Sequence, residues 1–388
     1  MATKYLVTNA PYLRSSDHGR STHAVMRDLL IGLSPVILFS IFKNVIMVFI
    51  KGGYTSVLQA IYPIITLIVG PLTSALLEML CLFIMKRKEI SKFSDLLDEV
   101  KNGFGFFPGL FIVLISPVYI NMWVLIVSVA VGEVVGKMLF GGFGQNIFNP
   151  AIIGRAFMAF SFSNQIGVSC FDPALNSYLN AYESTAVDVI AGATPLIRYS
   201  GLTDISYVNA VEPFGNLLDF FLGTIPGCLG ETSFLACLIG CIYLSVRKVI
   251  DYKVPLIYVS TVFLNTLIAG LFMGQGIWYP VFQVLSGGLM FGAVYMATEP
   301  VTSPKTNLGR AMNAMMLGVL TVLFRLVGNN PEGVATAIVT MNIFGLLINR
   351  YVVRVRVDGK LDKNEVPGLV IFLAIFTLIF VYNIIMIV

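Results

Sequence analysis

Residues 56–85 read SVLQAIYPIITLIVGPLTSALLEMLCLFIM, and they are the clearest indication of how this chain folds. A helix needs about 20 consecutive apolar residues to cross a bilayer, and this stretch is longer. Glu78 is its single charged residue, and the basic cluster Lys86-Arg87-Lys88 follows directly. An apolar stretch that ends on a basic cluster predicts a transmembrane helix that ends in the cytoplasm.

The composition of the whole chain indicates an integral membrane protein. Its 388 residues are 57% hydrophobic and only 12% charged, whereas a soluble domain has about 25% charged residues. Long apolar runs favour helices over the alternating strands of a barrel. The apolar composition leads us to expect lipid around the chain. The basic residues behind the formal charge of +4 lie mostly in loops, where they set the topology, so we expect no nucleic-acid partner. With two histidines and no CxxC pair, the sequence predicts no metal site.

Apolar segments recur along the chain and predict about ten to eleven transmembrane segments. They lie near 29–50, 56–85, 104–117, 121–140, 147–162, 217–246, 254–272, 280–298, 312–328, 334–349 and 367–388. Those at 104–117 and 147–162 are short and flanked by glycine or proline. Either one is a candidate for a broken or re-entrant helix, which is stable only where protein or a cavity covers its backbone.

The distribution of basic residues predicts the topology. Segments 1–28, 86–101, 247–253 and 350–363 contain 4, 5, 3 and 5 of the 25 lysines and arginines. Even numbers of apolar segments separate these four, so all of them belong on the cytoplasmic side together with the N-terminus. Segment 163–215 lies three crossings beyond the cytoplasmic loop 86–101. It has one basic residue, Arg198, so it is predicted to face outward.

This order of segments predicts an all-α polytopic membrane protein with two five-helix halves. An odd number of crossings per half gives the halves opposite orientations, as in transporters and urea-channel-like folds with inverted repeats. The predicted divisions are an N-terminal cytoplasmic segment (1–28), a first half (29–162), an outward loop (163–216), a second half (217–349), a basic cytoplasmic loop (350–366) and an extra C-terminal helix (367–388).

The outward loop contains DVIAGATPL at 188–196, which has two interpretations. One is a turn in which Asp188 caps a helix. The other starts from Thr194, whose hydroxyl follows Ala191, Gly192 and Ala193, so that a bulky group can approach the backbone. In that case Asp188 orients the group, or a metal bound to its phosphate.

The stretch resembles D-x-x-[S/T]-G-A-T, where a flavin transferase attaches FMN from FAD to threonine through a phosphoester. That site occurs in the membrane subunits of Rnf and Na⁺-translocating NADH:quinone oxidoreductase complexes. Ala191 departs from the pattern. Further similar blocks cover nearly the whole chain: NAPYLRSSDHGRSTHAVMRDLLIGLSP at 9–35, GKMLFGGFGQNIFNPAIIGRAF at 136–157, LGETS at 229–233, FGAVYMATEPVTSP at 291–304 and NPEGVATAIVTMN at 330–342.

The resemblance implies a membrane subunit of the RnfD/NqrB family, and specifically one of an ion-translocating ferredoxin:NAD⁺ oxidoreductase (Rnf) in the bacterial cytoplasmic membrane. The NqrB homologue of the quinone-reducing complex is the alternative, although it usually has an N-terminal extension longer than the 28 residues seen here. The resemblance further implies covalent FMN on Thr194, with Asp188, Gly192 and Ala193 in the attachment site, and noncovalent riboflavin nearby. Implied partners are a flavin transferase, a second FMN-carrying subunit and iron–sulfur subunits.

The chain is therefore expected to act within a redox-driven translocase and not alone. It has no GxGxxG motif and no Cys₄ iron–sulfur spacing, so we predict no catalytic residue. The flavins carry the redox chemistry, while the protein supplies position and electrostatics.

Charged residues within apolar segments are candidates for the ion pathway, because lipid burial of each costs about 2.5–3.5 kcal/mol. Glu78 and Glu231 are the best candidates, and Thr232 and Ser233 add oxygen atoms that suit Na⁺. H⁺ is the other possible coupling ion. The alternative role of both glutamates is a structural hydrogen bond between helices. Glu133, Glu299 and Arg325 come next, and Asn349 stands where relatives often have an acid.

A function of another class fits the same features. A channel or secondary transporter also has inverted halves, broken helices and acids near the middle of the membrane. Such a protein has no use for DVIAGATPL, and it would be colourless, whereas a flavoprotein is yellow.

Overall fold

The computed structural model describes residues 21–50, 57–85, 93–166, 170, 195–200, 205–328, 330, 333–354 and 366–387. Within these ranges the chain consists of helices joined by turns, with no strand. The helices before residue 170 are α1 (Thr22–Ile41, extended by a π-helix Phe42–Met47 and by Val48–Ile50), α2 (Val57–Met85), α3 (Phe93–Gly103), α4 (Phe106–Leu114), α5 (Met122–Val134), α6 (Pro150–Ser161) and α7 (Ser163–Ile166).

The later helices include one pair that is bent sharply. They are α8 (Pro195–Ser200), α9 (Tyr207–Ala210), α10 (Leu217–Leu222), α11 (Phe234–Val246), α12 (Lys253–Phe272), α13 (Trp278–Leu285), α14 (Leu289–Phe291, continued by a π-helix Gly292–Met296), α15 (Asn307–Val322, continued by a π-helix Leu323–Val327), α16 (Gly333–Arg354) and α17 (Val366–Ile387).

Six helices of the described part are long and apolar enough to cross a membrane. They are Thr22–Ile50, Val57–Met85, Met122–Phe140, Lys253–Phe272, Asn307–Val327 and Val370–Ile387. Helices α13 and α14 are bent by 61° relative to each other, and the number of possible spans rises to seven if this pair is counted as one broken span. The chain is therefore a polytopic helical membrane protein. Helices α4 and α6 have only 9 and 12 residues, too few for a bilayer about 30 Å thick at about 1.5 Å per residue.

Two apolar segments that the sequence presents as continuous are broken in the structure. The segment 217–246 divides into α10 and α11, and 280–298 divides at 286–288. The breaks occur at Gly223 (φ 96°) and Gly287 (φ 66°). Glycine adopts this left-handed conformation at little cost, and it stops the helix there. Hydropathy does not detect such breaks because most of the linking residues are themselves apolar or small.

Close helix packing gives the two parts of the chain the same contact pattern. Helix α2 packs against α4 and α5, and α5 packs against α6. In the second part, α12 packs against α13 and α15, and α15 packs against α16. The first long helices of the two parts, α1 and α11, pack against each other.

Glycines at the contact between α2 and α4 allow the closest of these approaches. A Cβ atom on Gly109 would lie 2.2 Å from the carbonyl oxygen of Gly70. Small residues at such a contact let two backbones meet, which is the usual way membrane helices gain packing energy.

The C-terminal helix α17 packs against α12 and α15. Its buried Asn383 donates a hydrogen bond from Nδ2 to the carbonyl oxygen of Val319 at 2.9 Å. This hydrogen bond satisfies the amide nitrogen of a polar side chain inside an apolar helix, and it joins α17 to α15.

Polar contacts between distant loops form two separate groups. One group joins Asp28 to Arg247, Asp251 to Arg310, His23 to Asn102, Asn146 to Glu299, and Lys305 to Asn349. The other joins Tyr62 to Ile120, Tyr119 to Cys170, and Tyr199 to Tyr279. The contacts of the first group join residues in or near loops that the sequence places in the cytoplasm. Those of the second group join residues in or near loops that it places outside.

Candidate functional site

The predicted flavin attachment residues Asp188, Gly192, Ala193 and Thr194 lie outside the described residues. Helix α8 begins directly after Thr194, and its residues Leu196 and Tyr199 are buried. The Tyr199 hydroxyl donates to the Tyr279 hydroxyl at 3.1 Å. The chain that follows residue 194 is therefore held in a hydrophobic cluster with α13.

Glu78 is buried in a cluster with Glu133 and Lys137. The Lys137 ammonium lies 2.6 Å from Glu78 Oε1 and 2.9 Å from Glu133 Oε1. The Ser74 hydroxyl donates to Glu133 Oε2 at 2.8 Å. The three charged side chains are 0–3% exposed. Glu78 is thus paired with a cation. The four-residue spacing of Glu133 and Lys137 is a sequence signal for their own pair.

The chain segment Gly103-Phe104-Gly105 wraps around the Glu78 carboxylate. Cβ atoms on Gly103 and Gly105 would lie 2.3 and 2.1 Å from the Glu78 oxygens, so both glycines pack directly against the carboxylate. Phe104 has φ 51°, which is strained for a bulky residue. Glu78 therefore holds a strained turn in place.

A cavity adjoins this cluster, and we call it the aromatic cavity. Its apolar wall includes Phe104, Phe107, Phe111, Phe143 and Tyr295. Its polar lining includes Lys137, Asn146, Asn149 and Glu299. An apolar cavity with a few convergent polar groups is typical of a small-molecule or cofactor site.

A glycine-rich turn brings the two asparagines to this cavity. Gly141, Gly142 and Gly144 have φ values of 112°, 96° and 83°, which favour glycine over any other residue. Asn149 then caps α6 by accepting hydrogen bonds from the backbone N–H groups of residues 151 and 152. Asn146 donates from Nδ2 to Glu299 Oε1 at 3.1 Å.

Glu299 is the acidic group of the aromatic cavity. The Thr302 hydroxyl also donates to it, at 3.0 Å to Oε2. Burial raises the pKa of Glu299 to about 7, while the hydrogen bonds from Asn146 and Thr302 oppose that rise. This carboxyl group therefore changes its charge near neutral pH.

Glu231 lies in a second cavity, in the link between α10 and α11. This cavity is also lined by Arg155 and Leu196. A Cβ atom on Gly288 would lie 2.5 Å from Glu231 Oε1, so the glutamate packs directly on the break between α13 and α14. Arg155, which is buried in α6, was not identified as a site residue, although an arginine within an apolar segment is a signal for one.

The neighbours of Glu231 have different environments. Thr232 is buried, with its methyl group close to Gly227. The Ser233 hydroxyl caps α11 by accepting a hydrogen bond from the Ala236 backbone N–H at 3.1 Å. The structure thus assigns Ser233 a structural hydrogen bond, and it places Glu78 and Glu231 beside different cavities.

Two further candidates make contacts between segments. Arg325 donates from Nη1 to the Gln283 carbonyl oxygen at 2.7 Å and so joins the π-helix after α15 to α13. Asn349 accepts a hydrogen bond from the Lys305 backbone N–H at 2.9 Å. An amide at position 349 therefore holds the loop before α15.

This arrangement is that of an all-helical membrane protein with broken helices beside buried charged groups. A family model described as the NQR2, RnfD, RnfE family matches residues 6–358. The chain belongs to this family. It is 30% identical over 358 residues to the D-type subunit of the proton-translocating ferredoxin:NAD⁺ oxidoreductase complex of Clostridium ljungdahlii, covering 89% of this chain and 94% of that one.

Other relatives differ in the ion or acceptor that their names state. The D-type subunit of the Na⁺-translocating ferredoxin:NAD⁺ oxidoreductase complex of Acetobacterium woodii is 28% identical over 348 residues, which cover 89% of this chain and 92% of that one. The B-type subunit of the Na⁺-translocating NADH-quinone reductase of Ectopseudomonas mendocina is 34% identical over 278 residues, or 69% of this chain. The chain spans 63% of the length of that B-type relative.

Proposed function

We propose that this chain is the D-type membrane subunit of an ion-translocating ferredoxin:NAD⁺ oxidoreductase (Rnf) complex and carries covalent FMN on Thr194. The observation that carries the proposal is the spacing from Asp188 to Thr194 within a chain that matches the family over 6–358. Coverage favours the D-type assignment over the B-type one. The alignment spans 94% of the D-type subunit of Clostridium ljungdahlii but 63% of the B-type subunit of Ectopseudomonas mendocina.

In this proposal Thr194 is the acceptor of FMN from a flavin transferase outside the cell. Gly192 and Ala193 leave space for the transferase, and Asp188 orients the incoming group or its metal. The anchoring of α8 through Leu196 and Tyr199 supports this role. A tether at Thr194 would then keep the flavin close to the buried core of the outer side.

The aromatic cavity is the proposed site of the noncovalent riboflavin. Its residues fit such a group: Phe104 and Phe107 provide an apolar wall, whereas Asn146 and Asn149 provide polar atoms. A bound flavin supplies one- and two-electron redox chemistry. The protein's own contribution is to exclude water with the phenylalanines and to place Lys137 and Glu299 at the border of the site.

The proposed topology has the N-terminus and the basic loops in the cytoplasm of a bacterial cell and 163–216 outside. The separation of these contacts into two groups supports it, as does the packing pattern that repeats in 29–162 and 217–349, the two halves that we propose to be inverted. The basic loop 350–366 and the added helix 367–388 follow these halves. We propose that partner subunits with iron–sulfur clusters and a second covalent FMN complete the electron path.

In-gel flavin fluorescence after SDS denaturation tests the proposal, because denaturation removes noncovalent flavin. The wild-type chain, produced with a flavin transferase, should fluoresce. Thr194→Ala should be dark and still inserted in the membrane. Thr185→Ala, nine residues upstream in the same segment, is the matched control and should fluoresce normally.

Other results would favour other functions. A fluorescent Thr194→Ala band would move the attachment site elsewhere in the chain. A dark wild-type band, with an active transferase present, would favour a channel or secondary transporter without a redox role.

A further inference from the structure

Lys137 contributes to two adjacent sites at once. Its ammonium bridges Glu78 and Glu133, at 2.6 and 2.9 Å. Its side chain also lines the aromatic cavity. A flexible four-carbon side chain with a compact charge can move between two such positions by rotation about its own bonds.

The Lys137 ammonium occupies the place that a bound cation would take. Glu78 and Glu133 both approach the same nitrogen, so two buried carboxylates share one ammonium. Without it, two negative charges would face each other in a medium of low dielectric, which is strongly unfavourable. Whenever the ammonium leaves, the carboxylates must therefore gain another positive charge.

We propose that Lys137 couples the charge of the aromatic cavity to the uptake of a monovalent cation, Na⁺ or H⁺, between Glu78 and Glu133. This inference rests on the proposed function, because it takes the cavity to hold a redox group. Each electron that enters the cavity from a neighbouring iron–sulfur donor adds one negative charge beside Lys137. The ammonium turns toward that charge, its two salt bridges break, and one external cation replaces it.

Removal of the electron by the next acceptor of the complex reverses the exchange. Lys137 then returns to the carboxylates and expels the cation. One electron, one ammonium and one external cation move in each direction, so the charge balances. No covalent bond of the protein changes.

The surroundings of the cluster connect it to the cavity in a second way. The Glu78 carboxylate packs against Gly103 and Gly105, and Phe104 between them forms part of the cavity wall. Ser74 holds Glu133 from α2, and Glu299 faces the cavity as a further acid. A change of charge at Glu78 therefore acts directly on the strained turn that shapes the cavity.

The variant Lys137→Met tests the inference, because it keeps the length of the side chain and removes its charge. The flavin-loaded complex is purified in detergent, and cation uptake is measured with radioactive sodium and with a pH-indicating dye. The oxidised variant should hold about one more cation than the oxidised wild type, and reduction with dithionite should add none. The wild type should take up that cation only on reduction.

Two further variants make the result specific. Lys101→Met removes an exposed lysine, 71% accessible, and should behave like the wild type. The double variant Lys137→Met with Glu78→Gln should lose the additional cation. An oxidised Lys137→Met complex with normal flavin and no additional cation would overturn the inference.

If Lys137→Met does not assemble, the inference is tested by comparing cation uptake on reduction in the wild type and in Glu78→Gln. Uptake of a cation on reduction that Glu78→Gln abolishes supports the inference, and uptake that Glu78→Gln leaves unchanged overturns it. In-gel fluorescence is measured on every sample. A dark wild-type band would refute the proposed function, whereas a bright band without redox-dependent uptake would refute only the role of Lys137.

Discussion

At the scale of single residues, buried charge is the main feature of this protein, and each charged group has a partner of a particular kind. Glu78 and Glu133 share the Lys137 ammonium, whereas Glu299 receives only neutral hydrogen bonds, from Asn146 and Thr302. A neutral donor stabilises a carboxylate less than a cation does. Glu299, which lines the aromatic cavity, can therefore change its protonation near neutral pH, because burial raises its pKa to about 7.

The titration of Glu299 predicts a pH-dependent stability. Burial raises its pKa from 4.5 to about 7, so between these values the folded state binds more protons than the unfolded state. This group therefore lowers the free energy of unfolding as the pH rises through that range. Glu299→Gln removes the titration and keeps one acceptor oxygen, for the hydrogen bond from Asn146, so it should reduce the fall in Tm between about pH 5 and pH 8. Glu212→Gln, at an exposed acid, is the control, and an equal effect of both variants would contradict the prediction.

Glu231 and Glu78 remain candidates for the ion pathway. If either binds the coupling ion, Glu→Gln should reduce cation-stimulated turnover of the complex while the covalent flavin stays in place. If the two are structural, the same substitutions should lower the yield of assembled complex. Normal turnover and normal yield in both variants would remove them as candidates.

At the scale of helices, short and broken elements create the cavities, and caps fix where those elements begin. Helix α6 begins at the Asn149 cap beside the aromatic cavity, and α11 begins at the Ser233 cap beside Glu231. A capping side chain satisfies backbone N–H groups that would otherwise lack partners. Both caps therefore hold the backbone next to a candidate site.

The cap of α11 gives a prediction that separates structure from ion binding. Ser233→Ala should lower the free energy of unfolding by about 1 kcal/mol, and Ser233→Thr should largely restore it. The apparent affinity for the coupling cation should be the same in all three proteins, as measured by turnover against cation concentration. A changed affinity in Ser233→Ala would show that the hydroxyl is an ion ligand.

The contact between α2 and α4 gives a second prediction at this scale. Gly109→Ala places a methyl group against the Gly70 backbone, at 2.2 Å before relaxation. Such overpacking costs about 1–3 kcal/mol, and the loss should appear as a lower Tm. Gly345→Ala, where the nearest atom would be 3.3 Å away, should have a much smaller effect. Equal shifts would mean that α2 and α4 separate easily.

At the scale of the whole molecule, the loop contacts agree with one topology. The charge distribution puts Arg247 and Asp28 on one side of the membrane, and the structure joins them at 3.1 Å. It also joins Cys170 to Tyr119, both predicted to lie outside.

Cys170 is a natural reporter of this topology because it is exposed. A membrane-impermeant maleimide should label it in intact cells. Labelling should be slower than for a free thiol, since partial burial of the sulfur in this otherwise exposed residue raises the pKa of the Cys170 thiol. Cysteine at position 101 in a variant without native cysteines should react only after permeabilisation. The reverse pattern would contradict the assignment of 163–216 to the outside.

The sequence alone determined the membrane class, the helical composition and the short segments near 104–117 and 147–162. These properties depend on local composition, because each apolar run has to satisfy its own backbone hydrogen bonds in lipid. The family blocks were likewise local, since they are strings of neighbouring residues. The sequence also identified Glu78 and Glu231, because a charge within an apolar run is visible in isolation.

Only the tertiary structure decided which of these charges meet. Lys137 and Glu78 are 59 positions apart, and no local pattern indicates that they form a salt bridge. The same holds for the aromatic cavity, where Phe104 and Glu299 come from different parts of the chain. Partners at such separations depend on how the helices pack, and packing depends on the shapes of many side chains at once. The physical reason is that composition acts locally, whereas charge pairing requires proximity in space.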